Sequence, residues 1–211
     1  MANEDEIPEI KTILLGEAAV GKTSIIRRYY DDSFDFNETS TISMSYVNKI
    51  VELDGKKYKL IIWDTIGQES YRTVTQLFLN NAKLVIMVYS IDDKKSFTNL
   101  NFWYQLYEKE LSKEAVLGII GNKSDLINDI QVSFQEGSDF AQNTGAIFTE
   151  LSAKENPEMI RVFVTDLLKE YLKKNNGEIP IDNQSIKLNE KVNKTKKGGC
   201  CNSSKNIKNN E

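Results

Sequence analysis

Short apolar runs and amphipathic stretches alternate along most of this chain. Ile10–Leu15 is an apolar run that ends at Gly16, and Lys22–Tyr30 follows with a helical pattern. Ser45–Leu53 and Lys57–Trp63 are strand-like runs joined by Asp54-Gly55, a strong hairpin signal. Leu84–Ser90, Val116–Gly121 and Ile147–Leu151 are continuous apolar runs, as strands buried on both faces require. Helical stretches lie between them, at about Lys94–Leu111 and Phe134–Asn143. The last helix is the clearest. Asn156 is placed to cap it, Pro157 suits its first turn, and Ile160, Phe163, Val164, Leu167, Leu168, Tyr171 and Leu172 form one apolar stripe. These alternations predict an α/β fold: a six-stranded, mostly parallel sheet with one antiparallel strand and helices on both faces.

The periodicity stops after about Lys174. Residues 1–8 read as an acidic N-terminal segment, 9–174 as one folded domain, and 175–211 as a flexible basic tail rich in Asn, Lys and Ser. No internal repeat is present. Charge follows the same division. Ile186–Glu211 carries seven lysines against Glu190 and Glu211, a balance of +5, which leaves −9 for residues 1–185 within the total of −4. An acidic body argues against a general nucleic-acid binder, whose footprint is a basic face.

The N-terminus Met1-Ala2-Asn3-Glu4-Asp5-Glu6 is the opposite of a secretory signal, and no apolar run nears the roughly 18 residues of a membrane span. An intracellular protein with at most peripheral membrane contact is expected. The chain has no histidine, which removes Ser-His-Asp triads, HExxH zinc sites and histidine bases together. Its two cysteines, Cys200 and Cys201, are adjacent in the tail, so thiol catalysis in the folded body is excluded.

Gly16-Glu17-Ala18-Ala19-Val20-Gly21-Lys22-Thr23 is GxxxxGK[ST] between a predicted strand and a predicted helix. Loop amides pointing inward at a helix N-terminus form a polyanion cradle. Gly16 and Gly21 permit the turn, Lys22 is placed to reach β/γ-phosphates, and the Thr23 hydroxyl can ligate Mg²⁺. Gly16, Ala19, Val20, Gly21, Lys22, Thr23 and Ser24 are the candidate nucleotide-binding positions here. A phosphate loop alone leaves the base open, because kinases, ATPases and GTPases all use it.

Asp64, at the end of Ile61-Ile62-Trp63-Asp64-Thr65-Ile66-Gly67-Gln68-Glu69, stands where a carboxylate holds Mg²⁺. In Gly121-Asn122-Lys123-Ser124-Asp125, the Asp125 carboxylate can accept from both guanine N1–H and the exocyclic amine, a donor pair adenine lacks. In Glu150-Leu151-Ser152-Ala153-Lys154, the backbone N–H of Ala153 is placed to donate to guanine O6.

In their order and spacing these strings resemble those of a Ras-superfamily small GTPase, over about Ile10–Lys174. The resemblance implies that fold, GTP/GDP as ligand and Mg²⁺ as cofactor. It implies that Thr41 completes Mg²⁺ coordination in the GTP state beside Thr23 and Asp64. Phe34 then packs on the guanine, the Gly67 N–H binds the γ-phosphate, and Gln68 orients the attacking water. Asn122, Lys123, Asp125, Ser152, Ala153 and Lys154 form the base site. The catalytic set is Gln68, Lys22 and Thr41. Catalysis of this kind rests on positioning and electrostatics, is slow unaided, and gains about 10³–10⁵-fold when a partner supplies an arginine.

Within the superfamily the chain is most similar to Rabs, regulators of vesicle and membrane traffic. Gln68-Glu69-Ser70-Tyr71-Arg72-Thr73 and Gly-Gly-Cys-Cys carry that likeness, and Tyr46, Trp63 and Phe78 match the Rab aromatic effector triad. Trp63 reads equally as an ordinary core aromatic. Exchange factor, GAP and effectors are the implied partners.

There are departures. Ser43 replaces a usual glycine, Ile66 replaces the alanine of WDTAGQE, and Ala18 and Ala19 stand where Ras has glycines. Ile66 is stiff and large, and is expected to alter how the Gly67-Gln68 loop reaches its catalytic pose. Cys200-Cys201 resembles a prenylated pair, yet ten further residues follow it and no CaaX box ends the chain. A lipid anchor and two exposed thiols both stand as readings. So do two alternatives in function: a guanine-nucleotide-dependent scaffold with negligible hydrolysis, and another P-loop NTPase.

Overall fold

The computed structural model of the chain describes residues 7–36, 41, 45–66, 79–111 and 115–176. Among the described residues six strands form one sheet: β1 Glu9–Leu15, β2 Ser45–Leu53, β3 Lys56–Asp64, β4 Leu84–Ser90, β5 Val116–Asn122 and β6 Ile147–Glu150. Their spatial order is β2-β3-β1-β4-β5-β6, with β2 antiparallel to β3 and all other pairs parallel. The helices are α1 Lys22–Asp31, α2 Lys94–Thr98, α3 Leu100–Glu110, α4 Phe134–Thr144 and α5 Pro157–Lys174. The expected sheet and the expected alternation are both present.

The period-2 geometry of β4 shows how the sheet is held. Leu84, Ile86 and Val88 face one core with Ile25, Ile26 and Tyr29 of α1 and Phe163, Leu167 and Tyr171 of α5. Val85, Met87 and Tyr89 face the other, with Leu100 and Trp103 of α3 and Ala141 of α4. All seven β4 residues are buried. Each buried aliphatic side chain stabilises by roughly 1.5–3 kcal/mol, so this strand anchors both layers. On the α5 side, Gly118 lets that helix approach β5 closely. A Cβ there would lie 2.8 Å from the Phe163 ring and 2.9 Å from Leu167.

Three local expectations meet a different outcome. The stretch expected as one helix from Lys94 is two pieces, because Asn99 sits at ψ −8°, flatter than the helical ψ near −42°. Asp93 caps the first piece by accepting from the Lys95 N–H at 2.9 Å. Asn156 does not cap α5; its Oδ1 instead accepts from the Ser152 N–H at 3.0 Å and ties the preceding loop. Ile147–Glu150 is only half-buried, since β6 is an edge strand with one pairing partner. The Asp54-Gly55 hairpin stands as expected: φ of 52° and 74° at the two positions gives the doubly left-handed turn that matches strand twist.

Candidate functional site

The chain leaves β1 toward β2 and β3 on one side of the sheet, and leaves β4 toward β5 and β6 on the other. In open α/β sheets ligands bind outside the carboxyl ends of the strands at such a reversal. The loop 16–21 lies there, between β1 and α1. Gly16 has φ 145°, and a Cβ on it would sit 2.2 Å from the Val88 carbonyl oxygen. Gly21 has φ 94°, and a Cβ on it would sit 2.2 Å from Asn122 Nδ2. Neither position admits another residue without movement. Ala19 also takes a left-handed φ, 63°.

Lys22 opens α1 and folds back under this loop. Its Nζ donates to the Gly16 carbonyl at 2.9 Å and the Glu17 carbonyl at 2.7 Å. Burial pushes its pKa down to about 8, against the opposing pull of the Asp64 and Glu17 carboxylates. A buried ammonium held by carbonyls is a strong site for added negative charge. Next to it, Thr23 Oγ1 donates to Asp64 Oδ2 at 2.7 Å and lies 2.9 Å from Thr41 Oγ1. The single Thr23 proton is given to the carboxylate, so Thr41 is the donor in the second bond. Two hydroxyls and a carboxylate thus meet at one point, all hard oxygen donors. That set fits Mg²⁺, which takes one or two carboxylates plus substrate phosphates rather than an all-protein cage. Ser24 lies part-buried in the same first turn of α1. Thr65 Oγ1 donates to the Leu14 carbonyl at 2.6 Å, fixing the strand end beside Asp64. Ile66 follows, 5% exposed. Gly67, Gln68 and Phe78 lie outside the described residues, as do Ser43 and Cys200-Cys201.

The second half of the site is built by the ends of β5 and β6. Asn122, 2% exposed, donates from Nδ2 to the Val20 carbonyl at 2.8 Å and accepts at Oδ1 from the Ala153 N–H at 3.1 Å. The Ala153 amide expected to face a base is therefore engaged by Asn122. Ser152 Oγ donates to Asp125 Oδ1 at 2.6 Å and accepts from the Lys154 and Glu155 N–H groups, each at 3.2 Å. Asp125 Oδ2 lies 3.7 Å from Lys154 Nζ. This carboxylate is held in one orientation. Lys123 takes a left-handed φ of 67°, and its ammonium lies 3.7 Å from Asp92. Phe34 is partly buried and meets Phe36 edge-on with ring centroids 5.1 Å apart.

Two contributors were not foreseen from sequence. Asp92, which holds Lys123 and accepts from Ser90 Oγ, follows β4 with no motif to mark it. Glu17 Oε1 accepts from Trp103 Nε1 at 3.2 Å across 86 positions.

Tyr46 and Trp63 face each other across the β2–β3 pair with ring centroids 4.9 Å apart. Tyr46 is exposed, whereas Trp63 is half-buried and packs against the second core. Trp63 thus packs partly as a core aromatic.

A family model for the Ras family matches residues 11–173. The GTP-binding protein ypt2 of Schizosaccharomyces pombe is 39% identical over 156 residues, 74% of this chain and 78% of that protein. Ras-related protein Rab-12 of Mus musculus is 41% identical over 165 residues, 76% of this chain and 68% of its own length. Ras-related protein Rab-8A of Bos taurus is 37% identical over 182 residues, 84% of this chain and 88% of its own. With the phosphate loop, the oxygen cluster and the Asn122–Asp125 loop at the carboxyl ends of the strands, the chain belongs to the Ras family of small GTPases.

Proposed function

We propose that this protein is a Rab-like switch that binds GTP and GDP, hydrolyses GTP slowly, and regulates vesicle traffic through partners that read its state. The observation that carries the site is the meeting of Thr23, Thr41 and Asp64 oxygens beside the buried Lys22 ammonium. Mg²⁺, when bound there, supplies charge neutralisation at the β- and γ-phosphates. Thr23, Thr41 and Asp64 would hold it.

Lys22 exchanges its two loop carbonyls for phosphate oxygens. The amides of Ala19, Val20 and Gly21 and the first turn of α1, with Ser24, complete the cradle. Asp125 accepts from guanine N1–H and N2–H, and the Ser152 hydroxyl keeps its second oxygen turned toward the base. Ala153 reaches O6 by sharing its N–H with Asn122. Lys123 and Lys154 flank the ring, and Phe34 closes over it. Gln68 aligns water for in-line attack, and Gly67 and Thr41 hold their loops only while the γ-phosphate remains. With no histidine in the chain, hydrolysis rests on this positioning.

Tyr46 and Trp63, with Phe78, form the face that effectors read. The lysine-rich tail adds about 1 kcal/mol per lysine near an anionic membrane, which suits a peripheral position on the cytosolic face of an endomembrane. Intact mass of the protein from its native cells tests an anchor at Cys200-Cys201. Two added isoprenoids support it, and an unmodified mass refutes it.

Competition for a fluorescent GDP analogue tests the site. Mg²⁺-dependent GDP binding that shifts toward xanthine nucleotides in Asp125→Asn supports it. Absence of guanine preference overturns it.

A further inference from the structure

Arg28 lies in the last turn of α1, the helix whose first turn carries Lys22 and Thr23. Its side chain is only 16% exposed. Nε donates to the Ala153 carbonyl and Nη2 to the Lys154 carbonyl, both at 2.8 Å. Nη1 donates to the Asp32 carbonyl at 2.9 Å. The guanidinium carbon lies 5.6 Å from the centroid of the Phe34 ring. Phe36 meets the same ring edge-on, and Lys154 Nζ lies 5.6 Å from the Phe36 centroid.

The fork is what matters. Two consecutive carbonyls of the loop after β6 are gripped by one planar group, which a lysine ammonium does not reproduce. An ordinary exposed ion pair would account for the 3.5 Å approach to Asp32, but not for bonds to residues 125 and 126 positions away. Asn122 and local turn bonds hold the rest of this loop. Arg28 adds a direct tie from the phosphate helix.

We propose that Arg28 is a positioning residue for the base. It fixes the 153–154 backbone on one side of the guanine and Phe34 on the other, and so sets how long the nucleotide stays. It acts through these groups rather than by touching the nucleotide. This rests on the guanine-nucleotide reading above.

The full chain, loaded with the fluorescent GDP analogue, is chased with unlabelled GDP, with Mg²⁺ present and again after chelation. Native protein is compared with Arg28→Lys, Arg28→Gln and Asp32→Asn, with thermal unfolding followed for each. Both Arg28 variants are expected to release the analogue about tenfold faster, the loss of roughly one good hydrogen-bonded contact. The acceleration should be the same with and without Mg²⁺, because the change lies at the base end. Asp32→Asn should release at the native rate. Should Arg28→Lys fail to fold, Arg28→Gln carries the comparison. Native-rate release from the Arg28 variants overturns the inference, as does an acceleration that vanishes on chelation, which would locate the effect at the phosphates. Native protein that does not retain the analogue overturns the nucleotide reading, and the inference with it.

Discussion

The Asn122 side-chain amide donates to the Val20 carbonyl at 2.8 Å, joining the loop after β1 to the end of β5 across 102 positions. The same amide's oxygen accepts from Ala153. One buried side chain therefore holds three segments of the site in register. Asn122→Ala would leave a buried carbonyl and a buried N–H without this partner, at a cost of about 1–3 kcal/mol for each group that finds no substitute. The expected outcome is a lower midpoint in denaturant unfolding and faster GDP release. Asn122→Asp keeps an acceptor for Ala153 but turns an oxygen toward the Val20 carbonyl, so it should not restore the native rate. Native-like release from Asn122→Asp would show that the bond to Val20 is dispensable.

Lys22 gives the site a pH dependence whose sign is fixed by its surroundings. Burial lowers its pKa to about 8 in the free protein, and phosphate oxygens would raise it on binding. A group whose pKa rises on binding contributes affinity that is full below its free value and is lost as pH climbs through its bound value. GDP affinity should therefore be level up to about pH 7 and then fall, by at most about tenfold per pH unit. Calorimetry in two buffers of different ionisation enthalpy should record proton uptake on binding near pH 8.5, roughly where the free amine begins to dominate. Absence of uptake there would mean that Lys22 stays charged in the free protein.

The frame of this site was readable from sequence because its signals are local. Gly16 and Gly21 are demanded by backbone geometry, Lys22 and Thr23 follow at fixed offsets, and the apolar runs that became β4 and β5 carry the strand pattern themselves. Asp54-Gly55 specified its turn unaided. What escaped was non-local. Asn156 has the chemistry of a helix cap, and nothing nearby in sequence reveals that the Ser152 N–H competes for its oxygen. Asp92 and Lys123 meet because β4 and β5 are neighbours, which no spacing rule states. Asn99 has an unremarkable place in a helical pattern, and neither Gly nor Pro stands between Lys94 and Glu110 to mark the break.

The Trp103–Glu17 bond is open to a direct test. Trp103 is fully buried in the second core, and its indole N–H ends on the phosphate loop, where the Glu17 carbonyl also accepts from Lys22. Trp103→Phe keeps an aromatic ring in the core and removes the donor. Glu17→Gln keeps an acceptor and removes the charge. If the bond steadies the loop, Trp103→Phe should release GDP several-fold faster while Glu17→Gln stays near native. The double-mutant cycle of Trp103→Phe with Glu17→Ala should show coupling of about 0.5–3 kcal/mol. Strict additivity in that cycle would reduce Trp103 to a packing residue.

Ile66 lies two residues past the end of β3 and immediately before Gly67-Gln68 in sequence, and it is 5% exposed. A β-branched side chain buried at that point restricts the backbone leading toward Gln68, the glutamine proposed above to align water. Replacing it with the smaller alanine removes that restriction and also removes buried surface, at about 2–5 kcal/mol if the site does not collapse. The two consequences are separable. Stability, read from denaturant unfolding of the GDP-bound protein, should fall. Single-turnover hydrolysis of preloaded GTP, measured at a temperature where both proteins stay folded, should change in rate, as should the rate with a stimulating GAP. Equal hydrolysis rates for native protein and Ile66→Ala, with the stability loss present, would confine Ile66 to packing and remove it from the control of the switch.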